Sequence, residues 1–183
     1  LLARGDIVGR LTRASSVAVV THINPDGDAI GSLLGLSHAL RRQGKRLWSV
    51  CVDPTPWSLT FLPGSDAIVS WDAVPTQEPP DLIVSLDCSD LERTGMPRDG
   101  GRLFPNVPMV EIDHHVTNTL FGEICWVDAG AACVGLMVYE LLIAMGDAID
   151  PDIATCLLTA MYTDTGSFQY SNADSRCMRA AAD

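Results

Sequence analysis

The sequence predicts an α/β domain with a mostly parallel sheet of about five strands and helices on both faces. Three observations carry that expectation. Short, nearly continuous apolar runs recur along the chain, as in parallel strands buried on both sides. They are interspersed with longer segments whose apolar residues return every three or four positions, the period of a helix. Clusters of His and Asp directly follow several apolar runs, and in open α/β sheets functional groups collect at the carboxyl ends of the strands.

Taken in order, Ile7, Val8, Leu11 and Ala14 mark a short amphipathic helix, and Val17 to Val20 a buried strand. Ala29 to Gln43 carries Ile30, Leu33, Leu34, Leu36, Ala39 and Leu40 at helical spacing, with Gly44 as its stop. Further strands are expected at Leu47 to Val52, Leu82 to Leu86, Val107 to Ile112 and Ile124 to Val127. Ala131 to Met145, stopped by Gly146, and Ile153 to about Thr163 read as helices. Pro54 to Pro80 is Pro-rich and interrupted, so it is expected to be irregular with one short strand at Ala67 to Ser70. No internal repeat or low-complexity tract occurs.

The 183 residues suffice for one domain with a core that needs no disulfide staples. A composition of 47% hydrophobic and 19% charged residues, with 15 Gly and 11 Pro, excludes a disordered tail, a collagen-like repeat and a coiled coil. Twelve Lys and Arg against 23 Asp and Glu leave a net charge of −11, the wrong sign for a protein that grips duplex DNA through basic side chains. Carboxylates that hold metal cations reverse that sign locally. Cys51, Cys88, Cys125, Cys133, Cys156 and Cys177 are scattered without a C-x-x-C pair and are expected to be reduced thiols. With no 18-residue apolar run and no leader pattern, the expected location is the cytoplasm. The chain starts at Leu1 and ends in a helix-forming stretch, Arg176 to Asp183, without a stop signal. It is therefore expected to be a piece of a longer polypeptide.

Four polar clusters carry the chemistry. In Thr21-His-Ile-Asn-Pro-Asp-Gly-Asp28 an Asp before an apolar helix is an ordinary N-cap, Asp28 being the one adjacent to it. A cap accounts for one Asp, not for His22, Asp26 and Asp28 together. In Ser85-Leu-Asp-Cys-Ser-Asp90, Asp87 ends an apolar strand, where a carboxylate is costly to bury unless a cation meets it. Asp90 fits an Asx-turn equally well. In Glu111-Ile-Asp-His-His115, Asp113 precedes two of the chain's 4 His; with His22 that makes three at strand ends, while His38 lies on a helix and is read as structural. Asp164 closes an apolar helix on the wrong side of its macrodipole, which calls for some other counter-charge. Imidazoles and carboxylates without thiolate suit Mn²⁺ first, then Mg²⁺, Co²⁺ or Zn²⁺. The donors are too many for one ion that must keep open positions, and two ions roughly 3.5–4 Å apart fit the count.

His22-Ile-Asn-Pro-Asp-Gly-Asp28 with Gly31-Ser32, Asp87-Cys-Ser-Asp90, Asp113-His-His115 and Thr163-Asp-Thr-Gly166 resemble, in this order, the four motifs of the DHH phosphoesterase superfamily. The resemblance runs from about residue 3 to 172. Asp113 to Asn118 with Phe121-Gly122, and Asp164 to Asn172, are similar to the bifunctional oligoribonuclease and pAp phosphatase branch. Family II inorganic pyrophosphatases usually lack the Gly-Ser and Thr-Gly-Ser-Phe features, and RecJ-type exonucleases lack the leading His. The resemblance implies that His22 and Asp26 hold one Mn²⁺ and Asp28, His114 and Asp164 a second, with Asp87 bridging. It implies that His115 contacts phosphate and that Asp113 fixes a histidine tautomer. It further implies residues 1–172 as the catalytic domain, and 173–183 as the start of a helix leading to a substrate-binding domain not contained in this chain. Expected partners are short single-stranded RNA or a nucleotide substrate, with no duplex DNA and no membrane, and a homodimer as one permitted assembly. Dinucleotide phosphodiesterase, inorganic pyrophosphatase and a non-catalytic nucleotide-binding or regulatory domain stay open as alternatives.

Overall fold

The computed structural model describes residues 2–97 and 103–183. Five strands, β1 (Ser16–Val20), β2 (Arg46–Val50), β3 (Leu82–Leu86), β4 (Met109–Asp113) and β5 (Ile124–Val127), form one sheet in the order β2-β1-β3-β4-β5. Every neighbouring pair is parallel. The winding reverses between β1 and β3, and such a switch point opens a crevice at the carboxyl ends of the two strands. Register then decides what meets there. Val20 pairs with Ser85 and Leu86 with Ile112, so the residues leaving β1, β3 and β4 emerge side by side.

The predicted α/β class and five parallel strands are observed, but the cover of the sheet is asymmetric. Helices α1 (Leu2–Arg13), α2 (Gly27–Arg42), α3 (Val134–Met145), α4 (Pro151–Asp164) and α5 (Ser175–Ala182) all bury residues in one core. That core joins Leu11, Leu36, Met137, Leu157 and Cys177 to Val17, Val19, Val84 and Ile112 of the sheet. The opposite face, Ala18, Val20, Ile83 and Met109, meets Trp71, Val74, Met96 and Phe104. Trp71 opens the 3-10 turn Trp71–Ala73, and Val74, Met96 and Phe104 lie in loops, Met96 just beyond the turn Glu92–Thr94. A right-handed crossover from β2 past β1 to β3 has to run on this second face. The connection carries Pro54, Pro56, Pro63, Pro75, Pro79 and Pro80, which cannot continue a helical hydrogen-bond ladder.

The expected strand at Ala67 to Ser70 reduces to one bridge, Val50 with Val69, because 3-10 turns at Ser65–Ala67 and Trp71–Ala73 close in on both sides. The expected strand from Val107 starts at Met109, since the Val107 N–H turns back to the Phe104 carbonyl and Pro108 has no N–H to offer. The helix expected from Ala29 starts at Gly27, and its cap is Asp26 rather than Asp28, with the Asp26 carboxylate accepting the Ala29 N–H at 3.0 Å. The helix expected from Ala131 starts at Val134 behind Cys133, whose Sγ accepts the Leu136 N–H. His38 is structural as expected, bonding through Nε2 to the Pro63 carbonyl, and all six cysteines are free.

Candidate metal centre

His22 leaves β1 buried, with Nδ1 2.8 Å from the Ile23 carbonyl. A carbonyl only accepts, so Nδ1 carries the proton and Nε2 presents its lone pair. That nitrogen lies 3.4 Å from Asp87 Oδ2 and 3.9 Å from Asp26 Oδ1. His114, leaving β4, repeats the arrangement: Nδ1 faces the Ala131 carbonyl at 3.4 Å. Its Nε2 lies 3.7 Å from Asp87 Oδ1, 3.8 Å from Asp164 Oδ2 and 4.0 Å from Asp28 Oδ2. Asp87 therefore turns one oxygen to each imidazole.

Asp28 occupies the first turn of α2, and its two oxygens accept the Val134 and Gly135 N–H groups at the start of α3, at 2.7 and 2.8 Å. That end of a helix favours an anion. Asp164 is the last residue of α4. What brings it to Asp28 is a close packing of α2 on α4: a Cβ at Gly27 would lie 2.3 Å from the Thr163 hydroxyl, and one at Gly35 would lie 2.5 Å from Leu157 Cδ2. Gly135 likewise leaves no room, with Ala160 Cβ 2.4 Å from the place of its own. Beyond Asp164 the chain turns through three left-handed residues, Gly166, Ser167 and Phe168. For the two non-glycines that costs roughly 1–2 kcal/mol each, and the Thr165 hydroxyl holds the turn by accepting the Phe168 N–H.

Three groups of donor atoms lie within 4.8 Å of one another: His22 with Asp26 and Asp87; Asp28 with His114 and Asp164; and Asp87 with His114 and His115. Asp113, fully buried, stands behind them. Its Oδ1 accepts the His114 N–H and His115 Nδ1, both at 2.8 Å, and its Oδ2 accepts the Asn118 amide at 2.7 Å. Burial alone would raise the Asp113 pKa, but the bonds from His115, Asn118 and the His114 N–H outweigh it and hold it below the ordinary carboxylate range. The His115 pKa is raised by its bond to Asp113 against the opposing effect of burial. All eight residues singled out in the sequence thus meet at one edge of the sheet. Asn118, which ties that edge together, carried no chemical signal of its own beyond a place near the histidine pair.

The electrostatics are those of a site short of positive charge. Burial, followed by the charges of Asp87 and Asp164, drives the Asp28 pKa well above the usual range despite its two N–H donors. Asp164 is raised by burial and by Asp87 and Asp26, with His114 opposing. At His22, burial alone would lower the pKa, and Asp87, the Ile23 carbonyl and Asp26 together raise it. No Lys or Arg among the described residues forms an ion pair with Asp26, Asp28, Asp87 or Asp164. Asp87 Oδ1 is buried without a hydrogen-bond donor, and the residue sits at a left-handed φ of 60°. Such an orphaned buried oxygen is expensive unless a cation meets it. No cysteine belongs to these donor groups among the described residues, and burial pushes the thiol pKa of Cys88 and Cys133 far up. The donor set therefore fits hard to borderline divalent ions.

Fold and site together define a parallel α/β domain with a His and carboxylate centre at its topological switch point. The chain belongs to the DHH family: residues 16–161 match the family's N-terminal domain. It is 38% identical over 168 residues to a bifunctional oligoribonuclease and PAP phosphatase NrnA of Thermus thermophilus, covering 91% of this chain and 48% of that protein. With the protein of the same description from Bacillus subtilis it shares 27% over 183 residues, 97% of this chain and 55% of that one. The crystal structure of an exopolyphosphatase-related protein from Bacteroides fragilis superposes with a TM-score of 0.86 at 28% identity, over 99% of this chain and 55% of that one. The chain thus spans about half the length of the curated relatives it matches.

Proposed function

We propose that residues 1–172 form the catalytic domain of a two-metal phosphoesterase that hydrolyses short RNA oligonucleotides and 3′-phosphoadenosine 5′-phosphate. The observation that carries the reading is Asp87, a buried carboxylate with one oxygen toward His22 and the other toward His114. In this account His22 and Asp26 hold one divalent ion, Mn²⁺ by preference, and Asp28, His114 and Asp164 hold the other. Asp87 serves both. Such ions, when bound, lower the pKa of water and neutralise charge on a phosphoryl group. The carbonyls of Ile23 and Ala131 keep the two ligand histidines in the tautomer whose Nε2 faces inward.

His115 has a different task. Its Nδ1 is engaged by Asp113 and its side chain is 42% exposed, so the ring reaches the open side of the site. With its pKa raised by Asp113, the charged ring donates Nδ1–H to Asp113 and Nε2–H to a phosphoryl oxygen, a charge-assisted bond. The relatives whose names specify oligoribonuclease and PAP phosphatase activity support this choice of substrate. Residues 173–183, which include α5, begin the connection to a further domain that grips the nucleotide. Turnover in Mn²⁺ of 3′-phosphoadenosine 5′-phosphate, a diribonucleotide, a cyclic dinucleotide and pyrophosphate tests the reading. Hydrolysis of the first two above the others is expected, and preference for pyrophosphate or the cyclic compound would overturn the substrate assignment.

A further inference from the structure

We propose that Asn118, oriented by the buried Glu111, is a positioning residue that fixes the direction of His115 through Asp113. Its functional weight rests on the phosphate-facing role of His115 proposed above, whereas the orientation itself is independent of any metal or substrate. Asn118 Oδ1 accepts the Leu120 N–H at 2.7 Å, which settles that the amide nitrogen is the end facing the carboxylates. That nitrogen reaches Glu111 Oε1, Asp113 Oδ2 at 2.7 Å and the Cys88 carbonyl at 3.2 Å. Its two N–H groups are thus shared among three acceptors, in the interior of β4, at its exit and on the residue after Asp87. Thr119 adds a second stitch, its N–H donating to the Ser89 carbonyl at 2.9 Å.

Glu111 is fully buried in the middle of β4, and its Oε2 accepts the Gly122 N–H at 3.1 Å. It accepts at both oxygens, which a glutamine in the same place cannot do. Gly122 suits this approach, because a Cβ there would lie 3.0 Å from Glu111 Cβ and 3.2 Å from the Met109 carbonyl, tighter than ordinary contact. The order of bonds is Gly122 to Glu111, Glu111 to Asn118, Asn118 to Asp113, Asp113 to His115. Asp113 Oδ2 is held by Asn118, so without the amide the carboxylate keeps only its Oδ1 bonds, from the His114 N–H and His115, and can pivot about that one end. His115 is half exposed and packs edge-on against the His114 ring at 4.6 Å, so its direction depends on that carboxylate.

The test reads the His115 ring directly, by long-range ¹H–¹⁵N correlation spectra of the metal-free chain above the imidazole titration range. The expected result is the Nδ1–H tautomer for His115, becoming a mixture with Nε2–H in Asn118→Ala and in the milder Glu111→Gln, while the His38 pattern stays. An Nε2–H tautomer in the unsubstituted chain overturns the proposal, as does a His115 pattern unchanged in both variants while the His38 signal is intact. If Asn118→Ala unfolds, which the His38 signal reports, Glu111→Gln decides. Turnover of the loaded enzyme separates the two readings: a lost tautomer preference with undiminished turnover keeps the positioning and removes the phosphate-facing role of His115. The expected loss is about 10–100-fold.

Discussion

Gly31 of α2 lies directly against the backbone of Cys156 in α4: a Cβ on Gly31 would sit 2.5 Å from the Cys156 carbonyl oxygen and 3.0 Å from Ala160 Cβ. Gly27, Gly31 and Gly35 fall on one face of α2 at four-residue spacing, and each is met by α4. This contact links packing to chemistry, because Asp28 lies in the first turn of one helix and Asp164 ends the other.

Gly31→Ala is accordingly expected to cost about 1–3 kcal/mol, since the obstacle is backbone and cannot swing aside. Metal affinity should fall with it as Asp28 and Asp164 separate. Urea midpoints and a Mn²⁺ titration of the same variant check this. An unchanged midpoint would show that α2 and α4 have slack the structure does not contain.

The two adjacent histidines should separate cleanly. His114→Ala is expected to lower metal occupancy, because its Nε2 faces Asp28, Asp87 and Asp164. His115→Ala should retain both ions and lose about 10²–10³-fold in kcat, the usual loss for one transition-state donor. Metal content and kcat measured side by side decide it, and the assignment is reversed if His115→Ala empties a site while His114→Ala does not.

A pH effect is expected away from the site. Asp81 accepts the N–H groups of Ser16 and Ser15, both at 2.9 Å, and these bonds hold its carboxyl below the ordinary range. A lowered folded pKa gives stability that is present above the unfolded value of about 4 and disappears as pH falls through the folded value. Asp81 is exposed, so solvent screens the effect; Asp81→Asn should lose about 0.5 kcal/mol at neutral pH, and its deficit should shrink in acid. Denaturant midpoints at pH 7 and in acid provide the comparison, and a deficit that does not change with pH would contradict it.

Much of this was legible in the sequence because buried parallel strands read as apolar runs whichever way they pair. Once those runs were placed, Asp87, His114 and Asp164 stood out as polar groups ending apolar elements. The cap of α2 was not legible, since Asp26 and Asp28 are equally good capping types and only the actual start of the helix, at Gly27, decides between them. Nor was the helical cover, which the Pro-rich connection replaces with 3-10 turns on one face. Asn118 stood in the family-like stretch Asp113 to Asn118, but its role was hidden: an amide gains meaning only from what surrounds it, here two carboxylates and a carbonyl from different parts of the chain.

Metal stoichiometry after equilibrium dialysis against Mn²⁺ tests whether Asp87 serves two ions at once. The unsubstituted chain should bind two ions, and Asp87→Ala should lose more bound metal than any other single substitution, because in the proposed arrangement Asp87 alone serves both ions. Two ions per chain retained with undiminished affinity in Asp87→Ala would contradict the account.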